Sequence, residues 1–126
     1  MEKAVEELKA LMRFKDSTSV GDVVLMLNET GDENEPINAA YAVVTDFVRD
    51  ISKRDEWWHV HFSFLAVPPV SQMLILQTPH FTGREIFTIG GRKVFIKALD
   101  FSPTREPEDG TISPKEKIKT SLRLVK

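Results

Sequence analysis

The stretch Glu56-Trp57-Trp58-His59-Val60-His61-Phe62-Ser63-Phe64-Leu65-Ala66 decides the fold class. Trp58, Val60, Phe62 and Phe64 fall on one side of an extended chain, and Trp57, His59, His61 and Ser63 on the other. A period of two marks a β-strand, whose successive side chains point to opposite faces. The apolar set, Trp58 to Phe64, is assigned to the core. Val67, Pro68 and Pro69 then stop the strand, since proline has no N–H to give to a ladder.

Similar short apolar runs lie on either side. Upstream, Asp22–Leu27 (DVVLML) reads as a buried strand, followed by a polar loop, Asn28–Asn38. Ala40–Val48 is a second strand, with Tyr41, Val43 and Phe47 alternating against Ala42, Val44 and Asp46; Arg49–Asp55 is a charged turn. Downstream, Gln72–Gln77 is a fourth strand and Thr78–Arg84 a turn. Glu85–Ile89 and Arg92–Leu99 form a hairpin around Gly90-Gly91, because two glycines supply the positive φ angles of a two-residue turn. In its second strand Val94, Ile96 and Ala98 face one way, and Lys93, Phe95 and Lys97 the other.

Five or six short strands with short connections predict a mainly β (α+β) fold: a small antiparallel barrel, SH3-like or similarly curled. The crossover helices of a parallel sheet are missing between them. The opening Gly21-Asp22-Val23-Val24-Leu25 resembles the entry of SH3-like barrels, MazF-like ribonuclease toxins among them. The Ser/Thr-rich catalytic segment of those toxins has no match in Phe62–Ala66, so the resemblance carries the barrel and not the activity.

Helices are expected at both ends. Residues 2–14 place Val5, Leu8, Leu11 and Met12 at helical spacing, a stripe that docks on the barrel or on a partner. Residues 101–112 form a Pro-rich connector. Ser113-Pro114-Lys115-Glu116 is a capping box with Pro at the first helical position, and Ile118, Leu122 and Val125 follow at i, i+4 and i+7. A short C-terminal helix over 113–126 is preferred; a closing strand, with Leu122 and Leu124 against Arg123 and Val125, is the alternative. The whole chain, 1–126, reads as a single domain with its β core over residues 20–100.

Composition narrows the function. A chain of 126 residues buries roughly two-thirds of its unfolded surface and folds without staples. No cysteine is present, which excludes disulfides, thiolate zinc sites and cysteine nucleophiles. No apolar run approaches the ~20 residues that span a bilayer, and residues 1–14 lack the apolar block of a signal peptide. The chain is read as cytoplasmic, with no membrane association. The net charge of −2 argues against a dedicated nucleic-acid binder. Its distribution is polarised: residues 21–56 carry nine acids and three bases, and residues 57–126 ten bases and six acids.

Three groups of residues carry candidate chemistry. His59 and His61, two apart on one strand, project from the same face, as metal ligands on barrel strands do. A third ligand must come from His80, Asp46 or Glu85; the plainer reading is a pair of amphipathic surface imidazoles beside Trp57. Trp57, Phe95 and Tyr41 fall opposite the core faces, with Lys93, Lys97 and Arg92 nearby, a mixture that stacks nucleic-acid bases or binds a peptide. The preferred alternative covers that face with the terminal helices. The turn Pro79–Glu85 brings His80, Arg84 and Glu85 together, yet reads best as an ordinary turn. Gly90-Gly91 is a turn and not a phosphate loop, and no G-x-S-x-G, H-E-x-x-H, Walker or dinucleotide fingerprint occurs.

Asp100-Phe101-Ser102 resembles the start of the D-x-S-x-x-G motif of PilZ domains, which bind a cyclic dinucleotide. The glycine position holds Arg105, and no R-x-x-x-R arm precedes the barrel, so that function is not carried over. The sequence implies no cofactor. The leading expectation is a non-enzymatic module that binds a protein partner, with ligand contacts among Trp57, His59, His61, Arg84, Lys93, Phe95 and Lys97. The alternatives are RNA or single-stranded DNA on the aromatic–basic face, and a metal-dependent or hydrolytic site at His59 and His61. A homodimer is also compatible, through a spare apolar stripe.

Overall fold

The computed structural model describes residues 1–102. The expected connector over 101–112, beyond Ser102, and the expected helix over 113–126 lie outside the described residues. Helix α1 (Glu2–Leu11) precedes four strands, β1 (Val23–Glu29), β2 (Ile37–Arg49), β3 (Trp57–Phe64) and β4 (Val70–Gln77). A single turn of helix, α2 (Thr78–Phe81), leads to β5 (Phe87–Ile89) and β6 (Arg92–Ala98). The strands form one antiparallel sheet in the order β4-β3-β2-β1-β6-β5, curled into a half-barrel with β4 and β5 as its two edges among the described residues. The expected curled β architecture is therefore present.

The concave side holds the main core. Val24 and Met26 of β1, Ala42 and Val44 of β2, Val60 and Phe62 of β3, Leu76 of β4 and Val94, Ile96 and Ala98 of β6 meet there, as the alternation in each strand requires. A second, smaller core lies on the convex side. Val5 of α1 is buried against Leu25 and Leu27 of β1 and Phe95 of β6, with Leu8 and Met12 packed at its margin. The apolar stripe of α1 thus docks on its own sheet. Leu11 departs from that stripe, because the helix ends there: its side chain is 81% exposed.

Asp46 and Phe47 of β2 sit on the faces opposite to their expected ones. The register between β2 and β3 slips between Val44 and Asp46, so Thr45 is extra. A β-bulge reverses the alternation beyond it. Phe47 therefore packs with the concave core, 5.0 Å from the Phe81 ring, instead of continuing the outward row of Tyr41 and Val43. The segment expected to be a plain turn at Thr78–Arg84 contains α2, which seats Phe81 in that core. Its N-terminus is capped by its own side chains: the Gln77 N–H donates to His80 Nδ1 at 3.2 Å.

The Gly90-Gly91 turn is as expected. Ile89 pairs with Arg92, leaving two residues with φ of 59° and 81°, the signs of a type I′ turn. Gly83 has a tighter requirement. Its φ is +79°, and a Cβ there would lie 2.6–2.7 Å from the Lys97 stem carbons. Gly91→Ala is expected to cost about 1–2 kcal/mol, the penalty of a left-handed alanine. Gly83→Ala is expected to cost more, since it adds a collision with packed methylenes where Gly91 has open space. Urea midpoints of the two variants check this; an equal or smaller loss at Gly83 overturns the packing account.

Candidate functional site

The face that carries Trp57, His59 and His61 is divided by α1. The half of the convex surface over β1 and β6 is covered, and the half over β2, β3 and β4 is open. On the covered half Phe95 is buried to 2% exposure, with the Lys9 ammonium 5.9 Å from its ring centroid. Lys97 is buried beside it. Its Nζ donates to the Thr82 carbonyl at 3.1 Å and stands 4.0 Å from Asp16, and burial pulls its pKa below the usual lysine value. Lys93 is held 3.0 Å from the Glu2 carboxylate, which raises its pKa. These three residues are accordingly spent on packing α1 and the Thr82–Gly83 turn against the sheet.

On the open half, cross-strand register sets out two rows. Val48, His59 and Ile75 lie side by side on β2, β3 and β4, and Asp46, His61 and Met73 form the next row. Each histidine is thus flanked on the β4 side by an apolar residue; on the β2 side His61 lies beside Asp46 and His59 beside Val48. His59 Nε2 is 3.0 Å from the Asp50 carboxylate. The Asp50 pKa is lowered to about 2, chiefly by the hydroxyl of Ser52, which donates to the carboxylate, and next by His59. His80, a candidate third ligand, sits elsewhere: its ring stacks on Phe87 at 4.6 Å and meets Trp57 edge-on at 6.1 Å. Among the described residues, no group of three or more His, Asp or Glu side chains is spaced to hold a metal ion. Arg84 is exposed on the turn after α2, away from the histidine rows.

The structure therefore sets His59 and His61 in neighbouring rows of the open half, turns the Trp57 ring to His80, and separates all three β3 residues from Lys93, Phe95 and Lys97 by the width of β2 and β1. It also adds residues that alternation alone does not single out. Val48, Met73 and Ile75 are exposed on the same open face, the last two at 42% each. The available signal was in β4 itself: Val-Ser-Gln-Met-Leu-Ile-Leu-Gln contains no charge, glycine or proline. Asp100-Phe101-Ser102, the PilZ-like triplet, forms a local turn in which the Ser102 backbone N–H and hydroxyl both donate to the Asp100 carboxylate.

Comparison with known proteins adds no relative: no family model, curated protein or solved structure gives a significant match to the chain. No helix among the described residues is long and apolar enough to cross a membrane.

His80 supplies a pH test of the local architecture. Burial lowers its pKa, and its unprotonated Nδ1 is the acceptor of the Gln77 cap. Below its ordinary value of 6.5 the unfolded chain takes up a proton that the folded one resists. Linkage then makes this contribution complete above that pH and diminishing as the pH falls. The melting-temperature advantage of the wild type over His80→Asn is expected to stay constant above about pH 7 and to shrink below 6.5. A difference that stays flat down to pH 5 shows that His80 is not held neutral by the fold.

Proposed function

We propose that this chain is a non-enzymatic protein-binding module, cytoplasmic in setting, that takes an extended segment of its partner along the edge of β4. The observation that carries this reading is the state of that edge. Among the described residues β4 has a neighbour on one side only, and it spans eight residues without a charge, a proline or a bulge. Edge strands of soluble proteins are ordinarily blunted by lysine, proline or a bulge, because a row of unpaired N–H and C=O groups templates a further strand. A long uncharged edge beside an exposed apolar row suits β-augmentation. In that mode main-chain hydrogen bonds supply affinity and alternate side chains supply selectivity.

The chemistry of the face describes the segment it would take. Met73 and Ile75 ask for apolar residues at alternate positions. Residues 1–102 carry eleven bases and fifteen acids, which favours a segment flanked by Lys or Arg. A nucleic-acid reading has less support, since Phe95 is buried and Lys97 nearly so.

A displayed library of random peptides, panned against the full chain, tests the proposal directly. Peptides with alternating apolar residues are expected, and amide exchange on binding should be slowed in β4. The double variant Met73→Lys/Ile75→Lys should weaken them tenfold or more, while its melting temperature stays close to the wild type, as befits exposed positions. Undiminished binding to the variant, protection confined to other strands, or no enrichment overturns the reading.

A further inference from the structure

The half-barrel leaves a gap between its edge strands, β4 and β5, and the two ends of that gap differ. Toward one end α2 closes it, seating Phe81 in the concave core against Phe47. Toward the other end the concave side holds a cavity of about 320 Å³, at the small end of the range for pockets that take small molecules. Met26 of β1 and Val94 of β6, 7% and 6% exposed, form its floor. Phe64 of β3 and Leu74 of β4 stand on one side of it and Ile89 of β5 on the other, so both edges of the sheet contribute. The remaining described lining is Ala40 and three amides, Asn28, Asn38 and Gln72; none of the lining residues is ionisable.

We propose that this cavity binds a neutral, mostly apolar small molecule that carries one hydroxyl or carbonyl group. The floor and walls select the apolar body. The amides select the polar group, because each offers both donors and an acceptor. Cross-strand pairing sets Asn28 beside Asn38, two residues along β1 from Met26, so these polar groups sit at one end of the apolar floor. Their own contacts leave hydrogen-bonding capacity to a ligand. Asn38 Nδ2 lies 3.4 Å from Asn28 Oδ1, and Asn28 Nδ2 lies 3.5 Å from the Glu29 carbonyl, both beyond the ordinary range of about 2.7–3.2 Å. Charge decides between head groups. A carboxylate or an ammonium would enter without a counter-ion, and burying an unpaired charge is costly. The site lies on the concave face and draws nothing from the outer row of β4, so neither proposal depends on the other.

Titration of the full chain with n-octanol, followed by backbone amide NMR shifts, tests the proposal. Saturable shifts are expected around Met26, Ala40, Leu74 and Val94, and octanoate and octylammonium should bind at least tenfold more weakly at neutral pH. Ala40→Leu fills the cavity and should weaken octanol tenfold or more. Gln72→Glu puts a carboxylate at the exposed rim and should turn the preference toward octylammonium. Should Ala40→Leu fail to fold, Gln72→Glu decides, since that side chain faces solvent. The proposal is overturned by an absence of saturable shifts, or by shifts confined to the exposed Leu11, Leu65 and Phe101. Equal binding of the three head groups, undiminished octanol binding by folded Ala40→Leu, or an unchanged preference in Gln72→Glu overturns it as well.

Discussion

Strand β1 has no polar face, and the rest of the molecule is arranged around that constraint. Its middle residues, Val24, Leu25, Met26 and Leu27, are all buried, although they point alternately to opposite sides of the sheet. A strand of this kind is stable only when both faces of the sheet are covered. The curl of the strands covers the concave side. The convex side has to be covered by something else, and α1 is what covers it. Fully burying side chains such as Leu25, Leu27 and Phe95 stabilises by roughly 1.5–3 kcal/mol each. That is enough to hold a ten-residue helix too short to be stable alone in water.

The same constraint limits what the outer face can offer. A helix with side chains is about 10–12 Å across, and strands are spaced about 4.8 Å apart, so one helix covers about two strands. α1 spends that coverage on β1 and β6, where Leu25, Leu27 and Phe95 need it. Lys93 then fastens the cover through Glu2, and Lys97 holds the turn after α2 to the sheet through the Thr82 carbonyl. The convex surface of β2, β3 and β4 is left over. The aromatic–basic surface that alternation assembles from Trp57, Phe95, Lys93 and Lys97 is therefore cut in two by the helix that β1 demands.

Much of the architecture was legible because local patterns were strong and mutually consistent. The alternation of Trp58, Val60, Phe62 and Phe64, the Gly90-Gly91 turn and the stripe of Val5, Leu8 and Met12 each depend on neighbours a few residues away. What was not legible depends on longer-range or finer causes. Phe47 could not be placed because a single extra residue, Thr45, reverses the alternation, and no residue type announces a bulge there. α2 was hidden because four residues give no period, and its cap comes from Gln77 and His80, not from a Ser or Asp. The open site was half visible. His59 and His61 declared themselves by spacing, whereas Met73 and Ile75 acquire meaning only once β4 is known to be an edge, and edge position is a property of the whole sheet.

Among the described residues the two edges of the sheet are unequal, and the difference bears on which one a partner strand would join under the proposed reading. β5 is three residues long and ends at once in the Gly90-Gly91 turn, so it offers few backbone groups to a newcomer. Short edge strands are one of the ordinary protections against unwanted pairing. β4 is eight residues long, lies beside the open rows of histidine, Val48, Ile75 and Met73, and carries none of those protections among its own residues. Had the chain needed both edges silent, a single lysine at Met73 or Ile75 would have cost little, since both already face solvent. Keeping methionine and isoleucine there sacrifices solubility without adding to either core. That asymmetry is what an edge kept open for a strand from elsewhere would show, and it is why the proposed binding role falls on β4 and not on β5.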